Sequence, residues 1–247
     1  MIYATEALIL TRHYYGDTSL ICNLFTKDYG RVSIIAKGAR KPKNTNSAIL
    51  QPLQFIDIHY YYKSKRNIQL LKEATINKHF FNTHNNYHKI IASYQTLDII
   101  NQICQVENPN EIIFRLVKQI MSKINNSNYK DIIVYNIFYK LQLLKYIGYQ
   151  PIIDFCNICN QKLVDSQYDW SIGQLICMNC TNHKQSNIKL TNQHLDIIKY
   201  LSNTHIDTIT IDKSQYPLLN DLDKYLLYFL SYHIINLKYL KSMKLAI

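Results

Sequence analysis

The spacing of apolar residues changes near residue 83, and that change limits what the chain can fold into. Before it, apolar and β-branched residues come in short runs: Glu6–Thr11, Ser19–Thr26, Arg31–Ala36, Phe55–Tyr62 and Ile68–Leu71. Gly16-Asp17, Asp28-Tyr29-Gly30, Lys37-Gly38 and Ser64-Lys65 break them with turn residues. About five short strands in roughly 75 residues suit a small closed β-barrel, and the expectation is an OB-fold over residues 1–80.

Beyond residue 83 the period becomes helical. Tyr87 to Ile103 reads as one helix, and Pro109-Asn110-Glu111 opens a second with a proline and an acid early. Asp131 to Ile147 forms a third, apolar on most sides, which ends at Gly148 with Pro151 just beyond. Two more run from Thr191 to about Leu201 and from Pro217 through Leu230. The fold class is therefore α+β and multi-domain, with an OB barrel at 1–80 and a helical bundle at 81–247. The bundle carries a cysteine-bearing insert at about 152–182.

Within that insert stand Cys156-Asn-Ile-Cys159 and Cys177-Met-Asn-Cys180, seventeen residues apart. Two C-x-x-C knuckles at this separation let four thiolates reach the corners of a tetrahedron around one Zn²⁺, and Tyr168 to Ile176 can form the hairpin of a zinc ribbon. Four sulfurs leave no open coordination position, so the expected zinc is structural. His183 is an alternative fourth ligand, and disulfides or free thiols are the competing readings. Cys22 and Cys104 are isolated in apolar stretches and read as small core residues.

The chain has 28 Lys+Arg against 17 Asp+Glu, a net charge of +11. Lys, Asn, Ile and Tyr are all abundant, which suggests a coding bias that raises Lys everywhere, so the distribution of charge carries more than its total. Residues 1–80 hold 12 basic and 5 acidic side chains, and four of the five arginines (Arg12, Arg31, Arg40, Arg66) lie there. Between Asp28 and Asp57 there is no acid, while Lys37, Arg40, Lys41 and Lys43 fall within seven residues. Concentrated basic charge of this kind favours an anionic partner, nucleic acid first.

Phosphate-cradling, metalloprotease, serine-hydrolase and two-metal carboxylate motifs are missing from the sequence, so no catalysis is expected. His79, His84 and His88 lie in an Asn-rich segment without a partner acid or cysteine and read as surface histidines. The longest apolar runs fall well short of the ~20 residues of a membrane span, and MIYATEALIL lacks the features of a secretory signal. A cytoplasmic protein is expected.

The stretch EALILTRHYYGDTSLICNLFTKDYGRVSIIAKGARKPKN, followed by LQPLQFIDIHYYY, resembles the amino-terminal region of the RecO family of bacterial recombination mediators. The most specific part is T-x-x-x-G-R-x-x-x-x-A-K-G-A-R, Thr26 to Arg40, with Leu50-Gln51-Pro52 after it. Gly148-Tyr149-Gln150-Pro151 before the first knuckle and the closing LKYLKSMKL also fit. The resemblance implies an OB domain, a helical bundle and a zinc-finger-like element. It also implies binding of single- and double-stranded DNA, annealing of complementary strands, and cooperation with RecR to load RecA onto strands coated by the single-strand-binding protein SSB. Some family members lack the cysteines. The chain departs from the family pattern at Asp17, where Glu is more usual, and at Asn44-Thr45-Asn46, which replace a more basic stretch and are expected to be left to solvent.

An OB barrel holds a strand with a basic groove for the backbone and aromatic faces for the bases. The candidate phosphate contacts are Arg31, Lys37, Arg40, Lys41, Lys43, Lys63, Lys65 and Arg66. The candidate stacking residues are Tyr14, Tyr15, Tyr29 and members of Tyr60-Tyr61-Tyr62, where alternation puts Tyr60 and Tyr62 on one face and Tyr61 on the other. Packing competes as an explanation for each of the 21 tyrosines. Two other readings remain. One is an adaptor acting through the helical domain, with the Leu218–Leu230 helix docking a peptide such as the SSB tail. The other is an OB-plus-zinc-ribbon RNA-binding protein.

Overall fold

The structure is a computed structural model that describes residues 1–78, 86–181, 188–240 and 242. His79, His84 and His183 lie outside the described residues, as does the expected domain boundary at residue 80. The chain divides into two compact units, one of Met1–Asn125 joined by Leu240 and Ser242, the other of Asn126–Tyr239.

The first unit is built on five strands: β1 (Ile2–Tyr15), β2 (Ser19–Thr26), β3 (Gly30–Ala36), β4 (Phe55–Tyr61) and β5 (Ile68–Lys78). They close into a barrel in the order β1-β2-β3-β5-β4, an OB-like arrangement. β1 closes it by pairing twice, its first half with β4 (Ile2↔Tyr61 to Leu8↔Phe55) and its second with β2 (Ala7↔Thr26 to Tyr15↔Ser19). Alternation along β3 and β4 sends Val32, Ile34, Ile56, Ile58 and Tyr60 into the core beside Ala7, Ile9, Leu20, Cys22 and Leu24.

β1 and β5 are longer than the sequence suggests, and bulges explain why. The β1–β2 register shifts between Ile9 and Thr11, and the β4–β5 register skips Lys72, since His59 faces Glu73 and Tyr60 faces Leu71. An extra residue breaks the two-residue alternation, so the pattern stops at Leu71 while the strand continues.

A one-turn helix, α1 (Asn46–Ile49), links β3 to β4. Two long helices complete the unit: α2 (Tyr87–Ile103), N-capped by Asn86, and α3 (Glu111–Asn126), whose first turn is capped by the Asn110 side chain. Phe114 of α3 packs against Phe25 and Phe55 at centroid distances of 5.5 and 5.8 Å. The α2–α3 linker runs along the edge of β3, with Arg31 N donating to Gln105 O (3.1 Å) and Val106 bridging Gly30 and Arg31.

The second unit contains α4 (Tyr129–Tyr146), the ribbon strands β6 (Ser166–Asp169) and β7 (Gln174–Cys177), β8 (Lys189–Leu190), α5 (Asn192–Asn203) and α6 (Tyr216–His233). The expected hairpin is present, since β6 pairs antiparallel with β7, and β8 adds to its other edge. α4 is apolar on most sides because both α5 and α6 pack on it, and Lys140 within it is fully buried against Asp223 of α6 (2.6 Å). The apolar stripe of α6 is also covered, with Leu219, Leu222, Tyr225, Leu226, Phe229 and Leu230 all buried. A peptide-docking role for that stripe loses its surface.

Candidate nucleic-acid interface and metal centre

The basic side chains of the first unit fall into two groups at opposite ends of β3. Arg31 opens that strand and Lys37 follows its last residue, so roughly 20 Å of extended chain separates them. At the far end, Lys37, Lys41 and Lys43 are exposed on the loop after β3, beside the β1–β2 hairpin that carries Tyr14 (69% exposed) and Tyr15 (57%).

Arg40 fixes this loop to that hairpin. Its backbone N–H donates to Thr18 O at 2.8 Å, and its Nη2 donates to Gly16 O (2.5 Å) and Asp17 O (2.6 Å). The guanidinium also lies over the Tyr14 ring, 4.5 Å from its centroid. Of the four basic residues in the loop, Arg40 is thus partly committed to building it. Asp17 takes part through its backbone carbonyl, which any residue offers. Asn44 is not left to solvent as expected. Its side chain donates to Gly38 O (3.0 Å) and accepts from Asn46 N (2.8 Å), closing the loop on itself.

The second group surrounds a concave site of about 530 Å³ lined by Arg31, Arg66 and four tyrosines. Tyr29, Tyr3 and Tyr62 form a stack, with Tyr3 in the middle at 4.6 Å from each neighbour and interplanar angles of 16° and 6°. Tyr60 is buried and turns its edge to Tyr3 and Tyr29, while Tyr61 points outward, in accord with the strand alternation. Burial pushes the Tyr60 phenol well above its ordinary value, with the neighbouring tyrosines and Glu107 adding to the effect. Arg31 donates to Asn101 O (3.0 Å), and Lys63, Lys65 and Arg66 are exposed on the β4–β5 turn. Tyr3 was absent from the residues singled out by sequence. It lies before the first apolar run, and only its register opposite Tyr60 reveals its role.

The Thr26–Arg31 motif has a structural meaning. Buried Thr26 donates through its hydroxyl to Gly30 O (2.7 Å) and accepts from Tyr29 N (3.0 Å), which locks the β2–β3 turn. Gly30 has φ +66°, and a Cβ there would meet the Asn108 backbone at 2.5 Å. Glycine is needed for the linker to lie against β3.

In the second unit the four cysteine sulfurs converge, all within 4.8 Å of one another. Cys156 and Cys159 lie on a tight turn closed by Asn160, which takes φ +58° and whose N–H donates to Cys156 O (2.9 Å). Cys177 ends β7, and Cys180 closes a 3-10 turn. Cys177 N donates to Cys156 Sγ at 3.3 Å and Ile158 N at 3.5 Å, while the Cys159 and Cys177 sulfurs are 3.6 Å apart. A tetrahedron with ~2.3 Å metal–sulfur bonds has edges of roughly 3.8 Å, so this set can hold a metal ion. Burial pushes the Cys156 thiol up, but the backbone donors and the Cys159 side chain outweigh it and hold the thiol at about 6. The hairpin is clamped to α6. Tyr168 packs edge-on to Tyr225, Trp170 meets Tyr228 at 4.4 Å, and the Tyr232 hydroxyl donates to Ser171 O (3.0 Å).

Cys22 and Cys104 are buried apolar residues, as expected; burial raises both thiols to about 12, partly opposed by Arg12 and Arg31 respectively. Among the described residues no helix is long and apolar enough to cross a membrane.

Comparison with known proteins accords with this architecture. Residues 1–80 match the family model described as recombination protein O N terminal, and residues 84–244 match recombination protein O C terminal. The chain is 28% identical over 231 residues to a DNA repair protein RecO of Thermodesulfovibrio yellowstonii, covering 92% of this chain and 91% of that one. It is 25% identical over 234 residues to the DNA repair protein RecO of a Thermoanaerobacter species, covering 93% and 92%. A RecO from Salinibacter ruber is 30% identical over 155 residues, covering 62% and 58%. With residues 1–80 and 84–244 matched by these two models, the chain belongs to the RecO family of DNA repair proteins.

Proposed function

We propose that the chain binds single- and double-stranded DNA without regard to sequence, anneals complementary strands and, with RecR, helps load RecA onto SSB-coated single strands in the bacterial cytoplasm. The observation that carries this reading is the acid-free loop of Lys37, Arg40, Lys41 and Lys43 held beside exposed Tyr14 and Tyr15 on an OB-like barrel. Lysines there neutralise phosphates on either strand, which lowers the repulsion between strands and leaves sequence unread. Annealing by this route moves no covalent bond and calls on no catalytic side chain. Lys63, Lys65, Arg66 and Arg31 extend the basic surface to the other end of β3, where Tyr29 offers a ring for stacking.

The four cysteines suit one Zn²⁺, bound by Cys156, Cys159, Cys177 and Cys180. An all-sulfur donor set favours that ion and leaves it no position for substrate, so it would contribute folding stability to the ribbon. The deciding experiment is annealing of SSB-coated complementary strands with and without RecR. Stimulation by the chain supports the reading, and no stimulation in either condition overturns it.

A further inference from the structure

The tyrosine-lined site beside β3 has features that the loop around Arg40 lacks. We infer that it is a pocket for one unpaired nucleobase, so that this end of the barrel grips single strands in particular. The inference rests on the reading of the chain as a nucleic-acid binder.

Its construction argues for a flat, aromatic, uncharged occupant. The floor is buried Tyr60, Val32 and Gln69, and the walls are the half-buried rings of Tyr29 and Tyr62 on either side of Tyr3. A volume of about 530 Å³ is that of a small-ligand site. Each outer ring of the stack has one face turned away from Tyr3, and an added base would extend the series in the offset geometry aromatic rings prefer. The site is also rigid. Gln69 is buried and bonded to Lys63 N (2.9 Å) and to Arg66 O (2.7 Å), which fixes the β4–β5 turn at the rim.

Charge at the rim gives the occupant a direction. Arg66 lines the site from the β4–β5 turn, with Lys63 and Lys65 exposed on the same turn, while Glu107 and Asp28 stand on the other side beside Arg31, whose guanidinium donates to Asn101 O. Glu107 accepts from the Tyr62 hydroxyl at 3.5 Å and holds that ring to the linker wall. Phosphate is drawn to the basic side and repelled from the acidic one, so the backbone runs along the turn and the base points inward. The carboxylates then face the N–H groups of the base edge. A base in a duplex is stacked and paired and cannot enter, whereas a lysine loop that meets only phosphates serves both forms.

The test uses the full chain and a single-stranded oligodeoxynucleotide carrying 5-iodouracil, irradiated to crosslink stacked aromatic residues and mapped by mass spectrometry. Crosslinks at Tyr62 or Tyr29, absent with the same sequence as a duplex, are expected. Crosslinks confined to Tyr14 and Tyr15 overturn the inference, although DNA binding itself would stand. In titrations, Tyr62→Leu should weaken single-strand binding roughly tenfold and leave duplex binding within about twofold, with Tyr62→Phe close to the unaltered chain. Equal losses on both forms overturn the pocket, because they signal a structural role. If Tyr62→Leu does not fold, crosslinking of the unaltered chain decides. No binding to either form by the unaltered chain removes the pocket and the proposed function together.

Discussion

The guanidinium of Arg40 lies 4.5 Å above the centroid of the Tyr14 ring, joining the loop after β3 to the first hairpin of the barrel. The same guanidinium caps the carbonyls of Gly16 and Asp17. A residue in such a position shapes a binding surface as well as charging it, and the two contributions can be separated.

In a double-mutant cycle with Arg40→Ala and Tyr14→Leu, a coupling of about 0.5–1 kcal/mol is expected from urea unfolding, the range of an exposed cation–π pair. Arg40→Ala should cost about 1.5–3 kcal/mol, because two carbonyls lose a charged donor. Additive single-mutant effects would show that the stacking is incidental.

Lys37, Lys41 and Lys43 are exposed and free to meet phosphate. Replacing all three by Ala should leave the unfolding midpoint nearly unchanged. The log–log salt dependence of single-strand binding should become shallower by about 2. An unaltered slope would remove these lysines from the interface.

Two glycines with positive φ provide an internal comparison. A methyl group at Gly16 meets nothing within 4 Å, so Gly16→Ala carries only the left-handed backbone cost of about 1–2 kcal/mol. At Gly30 the same φ penalty is joined by a collision with the Asn108 backbone. Gly30→Ala should therefore unfold at clearly lower urea than Gly16→Ala, and equal midpoints would contradict the close approach of the linker.

Metal analysis of the purified chain should give one zinc per molecule, lost on Cys159→Ser. Treatment with a strong chelator should lower the thermal midpoint and raise the proteolytic sensitivity of residues 152–181. Packing of α6 on α4, through contacts such as Lys140 with Asp223, predicts that the helical circular dichroism signal is largely retained.

Burial raises Cys22 and Cys104 from the ordinary 9.0 to about 12, so folding favours their protonated forms. Their contribution to stability is complete below pH 9 and declines as pH rises toward 12. The urea midpoint should fall between pH 9 and 11, and Cys22→Ala with Cys104→Ala should flatten that fall. At pH 8 the folded chain should leave both thiols unlabelled by a water-soluble disulfide reagent.

Sequence revealed most where the determining interactions are local. Each C-x-x-C knuckle is set by a turn of a few residues, and the alternation of β3 and β4 reports burial directly. It was silent where a residue answers to a distant partner. Lys72 looks like the end of a strand because it is a bulge, and Tyr3 looks like a terminal residue until its register opposite Tyr60 is known. Arg40 looks like one more cation until the carbonyls of Gly16 and Asp17 are found at its tip. The same limit hid the pocket, whose wall at Val106 and Glu107 comes from a linker some forty residues after the β4–β5 turn.

That linker also bears on how the protein can be divided. Val106 continues the hydrogen bonding of β3 beyond the barrel's own strands, and Phe114 covers Phe25 and Phe55. A chain cut off after β5 would leave the Gly30–Arg31 end of β3 unpaired and two aromatic rings uncovered, features that favour association. A fragment ending at the last strand should therefore associate more readily than one that reaches through α3, which size-exclusion chromatography of the two would compare.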